Sequence, residues 1–309
     1  MRHSLARSDG RGHLNCWLLI GNSRWHWACQ AATGIREYVD ESPAAGLARL
    51  RAWADRQLLG WAAVGPVPPQ AGLDPSRRLT LQDVPLAGLP SWLGVDRALV
   101  GWQAWRSAAA GSAVLVADAG TVLSLTCVDR RGRFVGGRLM AGAALQLRAL
   151  NAGTASLPPA AGQLVLDPDP WPRATVAAMQ AGVLRGLAAA LDAAAEERTF
   201  TPLESHASTA DEYVDKLAGK DAKKCVEKIA DRYIDKFVEK NVEKDADGCI
   251  DKGVDEWGLW LTGGDGPLLA PLLKAPRHSW CLAPNLALDA LASLTLASLK
   301  EALKNPGHP

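Results

Sequence analysis

The chain has 309 residues, 22% of them charged, and a formal net charge of +1. A balance so near neutral supplies no basic field for nucleic acid or for a membrane surface, so neither is expected as a partner and a small molecule is. Six cysteines, at 16, 29, 127, 225, 249 and 281, follow no Cys-x-x-Cys or His spacing, which suits reduced thiols in a cytoplasmic protein. Residues 1–13 carry Arg2, His3, Arg7 and Arg11 and read as a disordered tail, and the apolar run Cys16 to Ile20 is too short for a signal core or a membrane span.

Residues 16–30 predict a strand, a tight turn at Gly21-Asn22-Ser23, and a second strand beginning near Arg24 with Trp25, His26 and Trp27. Leu47, Leu50, Trp53 and Leu58 recur at roughly helical spacing and predict a helix over 46–59. Ala62 to Val67 reads as a short buried strand stopped by Pro66, Pro68 and Pro69. A proline-interrupted loop over 85–93 leads into Gly94-Val95-Asp96-Arg97, with a helix over 98–110. Ala113 to Val128 predicts a strand hairpin with a glycine turn, Arg133 to Leu139 another strand, and Ala143 to Leu150 a short helix. Arg173 to Glu197 predicts a long helix with Pro172 in its first turn.

Each half thus begins strand, glycine turn, strand, which suggests an internal duplication with a cleft between the two turns. The second turn carries the chemistry. Asp118-Ala119-Gly120-Thr121 follows the apolar run Ala113 to Ala117, so a buried strand delivers a carboxylate, free backbone N–H groups and a hydroxyl to one place. That set suits a nucleotide phosphate; an ordinary hairpin turn is the plain alternative.

Residues 211–256 have a foreign composition. The first 210 residues contain no lysine, yet these contain nine, and the triplet apolar-acid-Lys recurs from Val214-Asp215-Lys216 to Ile250-Asp251-Lys252. Val226, Ile229, Tyr233, Ile234 and Phe237 share one helical face, which predicts an amphipathic helix ending near Gly248. It reads as a peripheral insertion with a solvated charged face, or else as a docking surface for another protein.

Six motifs in order, Ile20-Gly21-Asn22-Ser23-Arg24, Gly94-Val95-Asp96-Arg97, Asp118 to Thr121, Gly136-Gly137 with Gly142, Gly153-Thr154-Ala155-Ser156-Leu157-Pro158, and Thr262-Gly263-Gly264-Asp265, give a resemblance to type III pantothenate kinases. That family belongs to the acetate kinase, sugar kinase, Hsp70 and actin superfamily. The resemblance covers about residues 16–200 and 257–300. It implies an α/β fold of two ribonuclease-H-like (actin-like ATPase) domains with mixed sheets and flanking helices. The first would span 14–110 and the second 111–309, interrupted by a helical insertion at about 199–256. It also implies transfer of the ATP γ-phosphoryl group to pantothenate with Mg²⁺ and a monovalent cation, potassium or ammonium, in a homodimer with active sites at the subunit interface.

Residue by residue, the resemblance makes Asp96 the general base, a role a primary alcohol needs filled because it is a poor nucleophile. A helix N-cap is the plain alternative for Asp96. Gly94, Val95, Arg97 and Thr175 would contact pantothenate, Arg97 through its planar fork of donors. Thr175 would act across the dimer interface, or merely cap its helix. Gly21, Asn22, Ser23, Thr121, Gly263 and Gly264 would contact ATP, and Asp118 would bind the monovalent cation.

The chain departs from the family at three points. Leu19 stands where the family's first phosphate motif has aspartate, no tyrosine occurs in the stretch 84–93 before Gly94, and Ala141 replaces a proline. A leucine cannot ligate a hard cation. A nucleotide-binding regulator without catalysis and a kinase of another small alcohol are therefore the competing functions.

Overall fold

The structure, a computed structural model, describes residues 15–31, 34, 36–52, 57–160, 162–198, 257–274 and 280–304. The helix expected within 211–256 and the tail over 1–13 lie outside them.

Two runs of unbroken apolar residues organise everything else. In β1 (Asn15–Ile20) and β5 (Ala113–Ala119) nearly every side chain is buried, which a strand tolerates only when both its faces are covered. Each is accordingly an inner strand. β1 pairs antiparallel with β2 (Trp25–Gln30) and parallel with β4 (Gln57–Ala63), while β2 pairs with β3 (Arg36–Glu41). β5 pairs antiparallel with β6 (Val122–Val128) and parallel with β8 (Trp257–Thr262). β6 pairs with β7 (Phe134–Ala141), and β8 with β9 (Trp280–Leu282). The sheet orders are β3-β2-β1-β4 and β7-β6-β5-β8-β9. The plan is one plan used twice, the mixed α/β ribonuclease-H-like arrangement, and it bears out the duplication read from the two glycine turns.

Alternation along the strands sorts the core into layers. Leu18 and Ile20 face a tryptophan cluster of Trp25, Trp27 and Trp61, with Leu47 and Leu50 of α1 (Pro43–Ala52) against it. Trp17 and Leu19 face the opposite way, into a core built on α2 (Val95–Ser107) and α6 (Leu286–Lys304). Val114 and Val116 of the second sheet enter that same core. Their neighbours Leu115, Ala117 and Ala119 turn away, onto α3 (Ala143–Ala152), α4 (Thr175–Arg198) and α5 (Gly266–Leu269). Helices α2 and α6 are therefore the filling between the two sheets. Arg36 and Tyr38 of β3 both donate to Oδ1 of Asp289, at 2.9 and 2.6 Å, and tie α6 to the first sheet.

Several elements differ from the expectation. The helix expected over 46–59 ends at Ala52, and β4 occupies 57–63 rather than 62–67. An apolar run such as Leu58 to Ala63 satisfies strand and helix alike, and pairing with β1 decides it. Helix α2 begins at Val95 rather than 98, and α4 begins at Thr175 with Pro172 ahead of it. Strand β3 and helix α6 were not anticipated at all. By length and composition Thr175–Glu197 could cross a membrane, but Met179, Val183, Leu184, Leu187 and Leu191 are buried against the second sheet. Cys16 Sγ donates to Cys29 Sγ at 2.9 Å, and among the described cysteines none forms a disulfide.

Candidate active site

Alternation alone brings the acids together. Asp118 has the parity of Val114 and Val116, so it faces the α2 layer from the second sheet. Asp96 lies in the first turn of α2. Their negative charges repel closely enough that Asp96 is one cause of a raised Asp118 carboxyl. The two hairpin turns close over the same end of the layer, where Thr121 Oγ1 donates to Ser23 Oγ at 3.0 Å, linking residues 98 apart in sequence. The structure thus assembles Asn22-Ser23, Asp96, Asp118 and Gly120-Thr121 from three separate motifs.

The motif glycines are where these segments approach one another. A Cβ on Gly94 would stand 2.5 Å from Oδ1 of Asp96, and one on Gly263 the same distance from Oδ1 of Asp118. Gly142 lies against the carbonyls of Gly120 and Thr121, and Gly137 against Leu125 and the Arg97 guanidinium. Gly65, just beyond β4, abuts Gly21 as Gly263, just beyond β8, abuts Ala119. Only Gly263 among the motif's pair has a left-handed backbone, with φ 85°. Gly264 has open space around it, which leaves its backbone accessible to a ligand.

Gly94, not Asp96, is the N-cap of α2, which removes the plain alternative for the aspartate. Asp96 Oδ1 accepts the N–H of Arg97 at 2.8 Å. Burial pushes its carboxyl up, partly offset by that hydrogen bond and by the Arg97 charge. Asp118 is pushed up to about 6, first by burial and then by the Asp96 charge, with His26 pulling the other way. Among the described residues its carboxylate has no hydrogen-bond partner, so its burial is offset only in part, by the His26 charge. Asp265 is likewise raised by burial and lowered by Arg24.

Arg97 is 8% exposed. Its Nε donates to Thr126 Oγ1 and its Nη2 to the Leu125 carbonyl, each at 3.2 Å, and its guanidinium lies 5.9 Å from the centroid of Phe134. Val95 is buried in the α2 core. Thr175 is exposed at the start of α4, and among the described residues no hydrogen bond links it to the acidic pair.

Among the described residues no cluster of three or more His, Cys, Asp or Glu could cage a metal alone. The donor set nonetheless fits a cation that arrives with phosphates, because Mg²⁺ keeps several waters and takes one or two carboxylates plus substrate oxygens. Asp118, expected to bind the monovalent cation, is a carboxylate that could contribute to holding such cations beside the phosphates. A cavity of about 280 Å³ lined by Leu147, Asn151 and Gln180, and a groove of about 400 Å³ lined by Trp102, Arg106 and Lys300, share no wall residue with this cluster. The sequence pattern did not single out His26 or Asp40, whose Nδ1 and Oδ1 are 2.6 Å apart beside the Gly21 turn. A histidine directly opposite the odd Leu19 was the available signal.

A family model for type III pantothenate kinase matches residues 86–197. The chain is 36% identical over 187 residues to a type III pantothenate kinase of Synechococcus elongatus, covering 56% of this chain and 74% of that protein. It is 38% identical over 175 residues to one of Gloeobacter violaceus, covering 55% and 73%. A solved structure from Campylobacter jejuni, described as a Baf family transcriptional activator, is 14% identical with a TM-score of 0.47 over 92% of this chain and 99% of that one, a likeness too low to argue from. With 74% and 73% of these two relatives covered at such identity, and the motifs gathered at one end of the α2 layer, the chain belongs to the type III pantothenate kinase family.

Proposed function

We propose that the chain transfers the γ-phosphoryl group of ATP to the terminal hydroxyl of pantothenate, giving 4′-phosphopantothenate, the first step of coenzyme A biosynthesis. The observation that carries this is the meeting of Asp96 and Asp118 under two turns bridged by Thr121 and Ser23. The family membership supplies the substrate.

In this reading the β1–β2 and β5–β6 turns hold the phosphates through Gly21, Asn22, Ser23 and Thr121, and the Gly263-Gly264 backbone holds the adenosine side. Asp96 accepts the hydroxyl proton as the new P–O bond forms and the bond to the ADP oxygen breaks. A carboxyl raised by burial holds that proton better than an exposed one, which favours the transfer. Gly94 leaves room for the Asp96 carboxylate, and Val95 seats the first turn of α2 in the core. Arg97 contacts the pantothenate carboxylate or carbonyl with the N–H groups that Thr126 and Leu125 leave over. Mg²⁺ and a monovalent cation, potassium or ammonium, beside Asp118 would offset phosphate charge. Thr175 lies free to reach a partner subunit's site in a homodimer, and the enzyme works in the cytoplasm.

The test is pantothenate-dependent ADP release by the full chain, with and without potassium. Turnover that requires potassium supports both the reaction and the cation. ATP binding without pantothenate-dependent ADP release would instead support a regulator, the reading that the buried Leu19 favours. Turnover of another small alcohol in preference to pantothenate would reassign the acceptor.

A further inference from the structure

The two halves are alike in plan but not in charge. Leu19 and Asp118 each stand two residues before the turn glycine of their hairpin, Gly21 and Gly120, and each faces the α2 layer. Leu19 is 6% exposed and part of the apolar core. It can accept no hydrogen bond and hold no cation, so the first half offers no strand-end carboxylate. Directly across the ladder Leu19 pairs with His26. Cross-strand partners share a sheet face, and Ala28, two residues on, enters the same core. A histidine therefore stands on the α2 side of the first sheet, beside the position the acid has vacated.

His26 is held for use rather than packed away. Asp40 on β3 is its cross-strand partner, and Asp40 Oδ1 lies 2.6 Å from Nδ1, which fixes the ring by one nitrogen. That hydrogen bond is the main reason the Asp40 carboxyl is lowered. The opposite edge lies along the phosphate turn, where a Cβ on Gly21 would meet Nε2 at 3.3 Å. Nε2 has no hydrogen-bond partner among the described residues, and the side chain is 35% exposed. The charged groups around the ring are Asp40 from β3, Arg24 from the turn, Asp96 from α2 and Asp118 from β5. Both acids of the α2 layer feel its charge, which holds their carboxyls lower than burial alone would.

We propose that His26 is a nucleotide-phosphate ligand: clamped by Asp40 through Nδ1, it donates from Nε2 to a phosphate oxygen at the Gly21 to Ser23 turn. A fixed positive donor thereby replaces the acid-and-cation pairing that Leu19 cannot make. In the complex both ring nitrogens are donors, Nδ1 to Asp40 and Nε2 to the phosphate oxygen. The inference rests on the nucleotide-binding part of the function above and goes beyond it in naming the first-half ligand.

The experiment is calorimetric titration of the full chain with ATP and, separately, with adenosine, for the unaltered protein, His26→Ala and His26→Gln. Loss of one charge-assisted hydrogen bond weakens ATP binding by about tenfold or more in His26→Ala and leaves adenosine binding unchanged. His26→Gln keeps a donor and retains more affinity than His26→Ala. Should His26→Ala fail to fold, a loss of ATP affinity without loss of adenosine affinity in His26→Gln decides. Equal ATP affinity in all three, or equal loss for ATP and adenosine, overturns the proposal. An unaltered chain that shows the His26 signature yet releases no ADP with pantothenate overturns the kinase reading alone, and one that binds no ATP overturns both.

Discussion

At Gly263 the chain leaves β8 with φ 85°, and an added Cβ would stand 2.4 Å from the Ala119 carbonyl oxygen and 2.5 Å from Oδ1 of Asp118. Gly263→Ala adds both a backbone penalty and a collision with an acid of the site, so it should lower stability by about 1–3 kcal/mol and displace Asp118. Thermal melts together with ATP titration check both effects. Asp96→Asn removes the proton acceptor while keeping the shape. It should lower kcat by about 10² or more and leave ATP affinity nearly intact; unimpaired turnover would show that Asp96 is only a helix residue. Asp118 makes a pH prediction. Its native carboxyl sits at about 6 against an ordinary 3.8, so between those values the folded chain binds more protons than the unfolded one. Its contribution therefore lowers stability as pH rises through that window. Asp118→Asn should flatten this slope in melts made without added cations, and potassium should stabilise the unaltered chain above pH 6 but not the variant. The motif glycines Gly137, Gly142 and Gly263 were legible, and each stands where two segments nearly touch. His26 and Asp40 were not, because their pairing exists only through β3, whose sequence Arg36-Glu37-Tyr38-Val39-Asp40-Glu41 puts charge on both faces and shows no clean alternation.

Helix α2 is the element on which both halves depend. Its first turn presents Asp96, while Ala98, Leu99, Val100 and Trp102 fill the layer between the sheets. Helix α6 completes that layer with Leu288 and Leu291. Leu291 is fully buried, and Leu291→Ala should cost about 2–5 kcal/mol, measurable by denaturant unfolding, although it lies far along the chain from every motif. The hairpins and α2 to α4 could be read in advance from apolar runs, turn glycines and helical spacing. The join of α1 to β4 could not, since a continuous apolar stretch suits either state until a neighbouring strand claims its backbone groups.

Over the whole molecule, the order β3-β2-β1-β4 of the first sheet recurs as β7-β6-β5-β8 in the second, which adds β9 at its edge, and this gives the duplicated plan that the paired glycine turns indicate a physical basis. The lysine-rich segment lies outside the described residues, yet its flanks are well anchored: α4 packs in the second core and β8 pairs with β5. Deleting 211–256 with a short glycine closure should therefore leave folding and turnover largely unchanged, as assayed by melts and ADP release. The placement of α6 carries a different kind of consequence. The first sheet is made from residues 15–63, but one of its faces is covered by residues 286–304. During synthesis α2 alone can cover that face until residues 286–304 have left the ribosome, so the half that is translated first is completed late. A nascent chain stalled at residue 285 should accordingly remain more protease-sensitive across β1 to β4, and release of α6 should be the event that protects it.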